Sequence, residues 1–265
     1  MEQLSYTNEI YRTDPKRVPF LARIFPGLTF YRQFFGVILD ASAKAKRGQY
    51  DDAEWCRSSI NIFRSLENIG ICIEITGIEN IKKIETPCII IANHMSTLET
   101  VILPIIIHPI QKVTFIVKQD LLEYPIFKHI MRARDPVAVS RTNPRQDLKA
   151  VMEGGVKRLK NGISIIVFPQ TTRMPSIDPA QFNTIGIKLA KKADVPIVPL
   201  ALLSDAWGTG KYLKDLGKID PSKSVHLSFG EPIRVQGRGT NDHEAIIHFI
   251  ESRLEKWRAF QSPKP

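Results

Sequence analysis

The chain has 265 residues, of which 43% are hydrophobic and 24% are charged, so it can bury one substantial core. Its 37 Lys and Arg residues against 27 Asp and Glu residues give a formal net charge of +10. This balance favours anionic partners, such as acidic lipid head groups, coenzyme A phosphates, an acidic carrier protein or nucleic acid. Nucleic acid is the weakest choice because the sequence lacks zinc-ligand spacing, a helix-turn-helix pattern and a glycine-aromatic RNA motif.

The three cysteines, Cys56, Cys72 and Cys88, are odd in number and have no paired spacing. We interpret them as reduced residues in a cytosolic setting, and we expect no metal site. The sequence has no uninterrupted apolar run of about 18 residues, which is near the minimum for a spanning helix. Residues 1–13 are polar and unlike a signal peptide. We therefore expect a protein that does not cross the bilayer.

Residues 18–39 concentrate aromatic and aliphatic side chains, broken by arginines and prolines, and basic residues follow at positions 44–47. This composition is typical of an interfacial segment, in which each basic residue near an anionic surface contributes about 1 kcal/mol. We predict that residues 19–47 dock the protein on the cytoplasmic leaflet, with Phe34 and Phe35 entering the head-group boundary. The alternative is that the same helix packs on the protein's own core, as amphipathic helices commonly do.

A second apolar helical face over residues 60–66 extends this pattern. Together the two segments predict a helical pair over residues 28–68. We therefore divide the chain into a membrane-docking helical segment, residues 1–69, and an α/β domain, residues 70–265.

From residue 70 onward, short apolar runs alternate with helical patterns, which is typical of an α/β fold with helices on both faces of the sheet. The predicted strands cover residues 71–75, 88–92, 113–117, 137–140, 163–168, 197–201 and 225–229. The predicted helices cover residues 98–107, 120–130, 144–160, 182–192 and 242–257. These elements predict a mostly parallel, two-sided sheet of about seven strands.

His94 and Glu99 are the first candidate catalytic residues, because they directly follow the apolar run at residues 88–91. An imidazole in a loop can take a proton from a substrate hydroxyl when a carboxylate holds its other nitrogen. On one continuous helix, residues five apart lie about 140° from each other and do not meet. The pair therefore requires His94 in the turn before the helix and Glu99 in its first turn, with Ser96 or Thr97 as the N-cap.

A second apolar strand, residues 165–168, also runs into a polar turn that ends in Arg173. In open α/β sheets, ligands collect outside the carboxyl ends of the strands. Arg173 is therefore expected near His94, where its guanidinium can hold an anion by a forked contact.

In these segments the chain resembles the lysophospholipid acyltransferase family, of which 1-acylglycerol-3-phosphate acyltransferase is the central member. The residues from Asn93 and His94 to Glu99 resemble the family's His-x4-Asp motif. The remaining blocks are residues 136–141, which end in arginine, residues 168–173, similar to Phe-Pro-Glu-Gly-Thr-Arg, and residues 195–200. The blocks match in order and approximate spacing across residues 70–235.

The resemblance implies transfer of an acyl group from a thioester of coenzyme A or acyl carrier protein to the hydroxyl of a lysophospholipid, most simply 1-acylglycerol-3-phosphate. It implies His94 as base and Glu99 as its partner, with no cofactor. It also implies a membrane-docking role for the helical pair. The substrate-binding residues that it implies are Lys118, Arg141 and Arg173 around the phosphate, with Asn93, Gln170, Thr171 and Thr172 beside them.

The sequence departs from the family pattern at Glu99, where aspartate is usual, and at Gln170 and Thr171, which replace Glu-Gly. The second departure removes a negative charge and adds a β-branched side chain. It leaves two alternatives open: a different lysolipid acceptor, or a peripheral protein that binds anionic lipid on a degenerate acyltransferase scaffold. A serine hydrolase is excluded because no Gly-x-Ser-x-Gly elbow occurs in the sequence.

Overall fold

The computed structural model describes residues 3–14, 17–125, 127–170, 172–211 and 213–261, with the backbone alone described at positions 260 and 261. The strands are β1 (Tyr11–Arg12), β2 (Ile73–Thr76), β3 (Ile89–Ala92), β4 (Val113–Lys118), β5 (Val137–Val139), β6 (Ser164–Val167), β7 (Ile197–Leu203) and β8 (Val225–Phe229). The helices are α1 (Phe20–Ile24), α2 (Pro26–Lys46), α3 (Asp52–Asn68), α4 (Glu79–Lys82), α5 (Leu98–Ile107), α6 (Phe127–Ala133), α7 (Pro144–Lys160), α8 (Ile185–Ala193) and α9 (Thr240–Gln261).

The strands form one eight-stranded sheet in the order β1-β2-β8-β7-β3-β6-β4-β5. Strands β7, β3, β6, β4 and β5 run parallel, whereas β8 is antiparallel to β7 and parallel to β2. The prediction of a mostly parallel α/β sheet is confirmed. The carboxyl ends of the five parallel strands therefore meet at one edge of the sheet, where ligands collect in such folds.

The central strands are buried along their whole length, because helices cover both faces of the sheet. Every residue of β3, β6 and β7 is buried. Along β3, Ile90 and Ala92 pack in the core shared with α2, α3 and α5, while Ile89 and Ile91 pack in the core shared with α7, α8 and α9. Such double burial explains why these strands read as continuous apolar runs in the sequence.

The structure corrects the prediction of one helix over residues 120–130. It has a short 3-10 helix, Gln119–Leu122, followed by the separate helix α6. Pro125 accounts for the break because proline disfavours helical backbone angles at the preceding residue, Tyr124. The two-residue strand β1 and the one-turn helix α4 were not predicted, since elements this short carry no periodic pattern.

The predicted helical pair corresponds to α2 and α3. The residues before the pair form β1, which joins the sheet beside β2. Tyr11 and Arg12 pair with Ile75 and Glu74 in β2. Residues on both sides of the predicted boundary at position 69 thus share one sheet and one core. None of the described helices is both long and apolar enough to cross a bilayer.

The orientation of α2 overturns one prediction. Phe34 is only 1% exposed and packs edge-on against Trp207, with ring centroids 5.1 Å apart. Phe34 therefore belongs to the core and does not enter a membrane, whereas Phe35 is 36% exposed. Other apolar side chains of this segment, here called the outer apolar face, are more exposed: Phe20, Leu21, Ile24, Phe25, Leu28 and Leu39.

Candidate active site

His94 lies in the loop between β3 and α5, and Glu99 lies in the first turn of α5. The Nδ1 atom of His94 is 2.9 Å from the Oε1 atom of Glu99. The His94 side chain is 14% exposed, while Glu99 is completely buried. The loop followed by a helix thus brings together two residues that one continuous helix would keep apart.

The carboxylate of Glu99 is held in a dense set of hydrogen bonds. Oε1 accepts from the backbone N–H groups of Met95, at 2.6 Å, and Ser96, at 3.0 Å. Oε2 accepts from the hydroxyls of Ser96, at 2.8 Å, and Ser204, at 2.5 Å. These donors fix the carboxylate in one orientation towards His94.

Burial by itself raises the pKa of Glu99, but the hydrogen bonds from His94, Ser204 and the Ser96 backbone outweigh it and hold the pKa below its usual value. Glu99 is therefore ionised at neutral pH. An ionised partner at Nδ1 keeps the proton of neutral His94 on that nitrogen, which leaves Nε2 as the proton acceptor.

The lowered pKa of Glu99 predicts a dependence of stability on pH. Its charged form stabilises the fold fully above the unfolded-state pKa, and this contribution is lost as the pH falls through the lower folded-state pKa. We expect the difference in free energy of unfolding between wild type and Glu99→Gln to be constant above pH about 5 and to shrink below pH about 4. Urea unfolding across this range measures it, and a difference that stays constant down to pH about 3 would contradict it.

The loop after β6 fixes the position of His94. The side-chain carbonyl of Gln170 accepts a hydrogen bond from the His94 backbone N–H at 2.9 Å, and the Met174 N–H donates to the His94 carbonyl at 2.9 Å. The imidazole also stacks on the ring of Phe168, with centroids 4.4 Å apart. Two strand ends are thus joined into one site, as expected from the sequence.

The side chains of two predicted substrate-binding residues are buried and bonded to the protein's own backbone. Asn93 is 2% exposed, and its side chain makes two hydrogen bonds of 2.8 Å with the backbone of Leu202. Gln170 is 1% exposed, and its amide nitrogen donates to the Ser176 carbonyl at 3.2 Å. Buried amides satisfy their hydrogen bonds within the protein. These contacts position the two loops, and substrate binding by Asn93 and Gln170 stays a prediction.

Arg173 lies beside the start of α5. Its guanidinium forms an ion pair with Asp215 and donates to the Lys214 carbonyl at 3.1 Å. The Thr97 hydroxyl lies 3.3 Å from the same Asp215 carboxylate oxygen. Thr172 is exposed in the same loop as Arg173, and Thr171 lies outside the described residues.

Lys118 and Arg141 lie at the same edge of the sheet but farther from His94. Lys118 ends β4 and forms an ion pair with Asp120, and Arg141 follows β5. Adjacent strands are about 4.8 Å apart, which places β4 about 10 Å and β5 about 14 Å from β3 along the edge. The predicted cations therefore form a row along one edge, and Arg173 is the one held beside α5.

Ser204 and Asp215 are site residues that the sequence analysis missed. Ser204 directly follows the buried strand β7, so a polar residue at a strand end was a usable signal. Asp215 lies in the long loop between β7 and β8, where neither spacing nor periodicity indicates a partner.

The family model for acyltransferases matches residues 72–203. A 1-acyl-sn-glycerol-3-phosphate acyltransferase of Pseudomonas aeruginosa is 30% identical over 203 residues, covering 77% of this chain and 73% of the relative. The chain belongs to the lysophospholipid acyltransferase family.

Other members of the lysophospholipid acyltransferase family agree in sequence and fold. A probable 1-acyl-sn-glycerol-3-phosphate acyltransferase of Mycoplasma pneumoniae is 34% identical, covering 62% of this chain and 62% of the relative. The crystal structure of the 1-acyl-sn-glycerophosphate acyltransferase of Thermotoga maritima superposes with a TM-score of 0.63 at 22% identity, covering 90% of this chain and 97% of that one. The similarity to the Thermotoga maritima structure shows that the two chains share a fold.

Proposed function

We propose that this acyltransferase transfers an acyl group from an acyl thioester to the free hydroxyl of 1-acylglycerol-3-phosphate, giving phosphatidate. The observation that carries the proposal is the contact of 2.9 Å between His94 and the buried, ionised Glu99. Relatives that carry the name of this activity support the choice of acceptor. Incubation of the purified protein with labelled acyl thioester and lysophosphatidate tests it directly, and absence of labelled phosphatidate would contradict it.

The proposed chemistry needs one base and no covalent enzyme intermediate. Nε2 of His94 takes the proton of the acceptor hydroxyl as the oxygen attacks the thioester carbonyl carbon. The carbon–sulfur bond then breaks, and the thiol leaves with the proton returned by the imidazolium. Glu99 remains ionised throughout, orients the ring and stabilises the imidazolium, which is the role of the carboxylate in catalytic triads.

The departure at Gln170 is compatible with an active enzyme. Its side chain bonds to the backbone of His94, so the residue supports the candidate base. This contact favours an active enzyme over the alternative of a degenerate scaffold that only binds lipid.

We expect Arg173→Ala to raise the apparent KM for lysophosphatidate by about tenfold, the size expected for lost hydrogen bonds to a charged group. The phosphate monoester carries close to two negative charges at neutral pH, and Arg173 is the cation held beside α5. Steady-state kinetics with dispersed short-chain acceptor measure the effect. Arg238→Ala, an exposed arginine after β8, is the matched control. An unchanged KM in Arg173→Ala would show that this arginine does not bind the acceptor.

The enzyme is further proposed to dock on the cytoplasmic leaflet through the outer apolar face of α1 and α2. The six large apolar side chains of this face are between 48% and 74% exposed. Exposure of so much apolar surface is unfavourable in water and suits the head-group boundary of a membrane. Arg23 and Arg32 are exposed on the same two helices. Arg17 and Arg23 also line an open cavity of about 450 Å³ beside Phe20. Cations beside apolar side chains match an anionic lipid surface.

A further inference from the structure

Ser204 contacts the carboxylate of Glu99 from outside the loop that carries the candidate base. The other donors to this carboxylate belong to the same short segment as Glu99 itself: His94, Met95 and Ser96. Among the described residues, Ser204 is the one hydrogen-bond donor to Glu99 from another part of the chain. It directly follows β7, so it connects the carboxylate to a central strand of the sheet.

The Ser204 hydroxyl is enclosed by the protein. The residue is 1% exposed, and its oxygen lies 2.5 Å from Oε2 of Glu99 and 3.0 Å from the hydroxyl oxygen of Ser96. A side chain this deeply buried does not contact a substrate that arrives from solvent. Any influence of Ser204 on the reaction therefore passes through Glu99.

The length of Glu99 makes such a support useful. Glutamate has one methylene more than the aspartate usual at this position, which adds a rotatable bond and about 1.5 Å of reach. The Oε1 atom of Glu99 contacts His94, and Ser204 holds the other oxygen, Oε2. Bonds to both oxygens fix the plane of the carboxylate, and the bond to Ser204 fixes it relative to the sheet.

We propose that Ser204 is a positioning residue for acyl transfer, which holds the Glu99 carboxylate against Nδ1 of His94 and thereby keeps Nε2 free to take the acceptor's proton. The inference rests on the proposed function, in which His94 is the base. Ser204 acts through Glu99 and touches neither substrate nor reacting atoms. Positioning of this kind matters because a misplacement of about 1 Å can cost about 100-fold in rate.

The kinetic test is Ser204→Ala. We expect kcat to fall about tenfold, a loss smaller than that of a full misplacement because the local donors to Glu99 remain. The acceptor KM should stay within about twofold of wild type, since a buried positioning residue does not bind the acceptor. Circular dichroism and thermal unfolding check the fold. An unchanged kcat in Ser204→Ala, or a change confined to KM, would overturn the proposal.

A double-mutant cycle tests whether Ser204 acts through the carboxylate. In a Glu99→Gln background the charge that Ser204 positions is already absent. Ser204→Ala should then lower kcat by less than about threefold, because residues that act through one contact are not additive. An additional loss in this background as large as that in wild type would show that Ser204 acts by another route, and the proposal would be wrong.

Ser228→Ala is the matched control, because it removes a buried serine hydroxyl from the neighbouring strand β8. Ser228 is 2% exposed, and its hydroxyl oxygen accepts from the Thr76 hydroxyl at 3.0 Å. This variant should retain the wild-type kcat. An equal loss of kcat in Ser228→Ala and Ser204→Ala would show a general effect of loosening the sheet and would contradict the role of Ser204.

A second measurement does not depend on the acceptor. Nitrogen-15 NMR of labelled histidine shows which imidazole nitrogen carries the proton, and His94→Ala identifies the signals of His94. At pH about 8, where histidine is ordinarily neutral, wild type should carry the His94 proton mainly on Nδ1. Ser204→Ala should show a larger share of the form protonated on Nε2, because the carboxylate holds the Nδ1 proton less firmly.

The NMR result separates this inference from the proposed function. An unchanged distribution of the His94 proton in Ser204→Ala overturns the positioning role, even if wild type forms phosphatidate. A shifted distribution in a protein that forms no phosphatidate from lysophosphatidate supports the positioning of His94 by Ser204 and overturns the proposed acceptor alone.

Discussion

His94→Ala should abolish acyl transfer while leaving the fold and membrane binding intact. The imidazole is the proposed base, and its 14% exposed side chain packs on Phe168 without supporting the sheet. Single-turnover and steady-state assays with labelled acyl thioester measure the loss, and circular dichroism checks the fold. His248→Ala, an exposed histidine on α9, should retain wild-type turnover. Near-normal turnover in His94→Ala would exclude this residue as the base.

Glu99→Gln should lower kcat by at least about 100-fold, consistent with loss of an oriented general base. A glutamine at this position cannot accept all the hydrogen bonds that Met95, Ser96 and Ser204 donate to the carboxylate. It also cannot stabilise the imidazolium by charge. KM for the acceptor should change little, because Glu99 is completely buried behind His94. A change confined to KM would contradict a positioning role through the histidine.

The second large effect is expected on membrane binding. Phe20→Glu combined with Leu28→Glu should release the enzyme from anionic vesicles, because two charges would have to enter the apolar boundary. Both side chains point outward and are 74% and 71% exposed, so the fold should tolerate the change. Co-sedimentation with vesicles measures binding. Activity on a dispersed short-chain acceptor should persist, since His94 lies in another part of the fold.

Two controls distinguish the loss of membrane docking from a general effect of added negative charge. Asn241→Glu with Ser252→Glu adds the same two charges at exposed positions of α9 and should leave vesicle binding unchanged. Phe34→Glu should instead destabilise the protein, since this ring is buried against Trp207. If the folded Phe20→Glu and Leu28→Glu double variant still co-sediments like wild type, the outer apolar face does not bind membranes.

The sheet was predictable because its strands are short apolar runs bounded by turns. Strand β8 and helices α5 and α7 have the predicted bounds. The start of α7 was predictable because proline is favoured at the first position of a helix, which Pro144 occupies. The pairing of His94 with Glu99 was also predictable, since the loop and helix start are both local. What could not be predicted depends on contacts across the chain: the bond of Asn93 to Leu202, that of Ser204 to Glu99, and that of Asp215 to Arg173.

The orientation of α2 shows a second limit of sequence reasoning. Apolar residues occur on more than one side of this helix, so periodicity could not decide which side faces the core. The decision depends on Trp207, which lies in the β7–β8 loop and buries Phe30 and Phe34. The outward side was therefore identified from burial in the structure and not from the pattern.

Helix α2 carries part of the outer apolar face on one side and packs on Trp207 of the β7–β8 loop on the other, so the N-terminal helices are not separable from the α/β core. A truncation before residue 50, designed to give a water-soluble fragment for crystallisation or screening, would remove β1 from the sheet and uncover the rings of Trp207 and Phe63. It would also release the loop in which Asp215 lies. Solubility is better engineered by replacing outward side chains of α1 and α2 individually, which keeps the helices and the site they support.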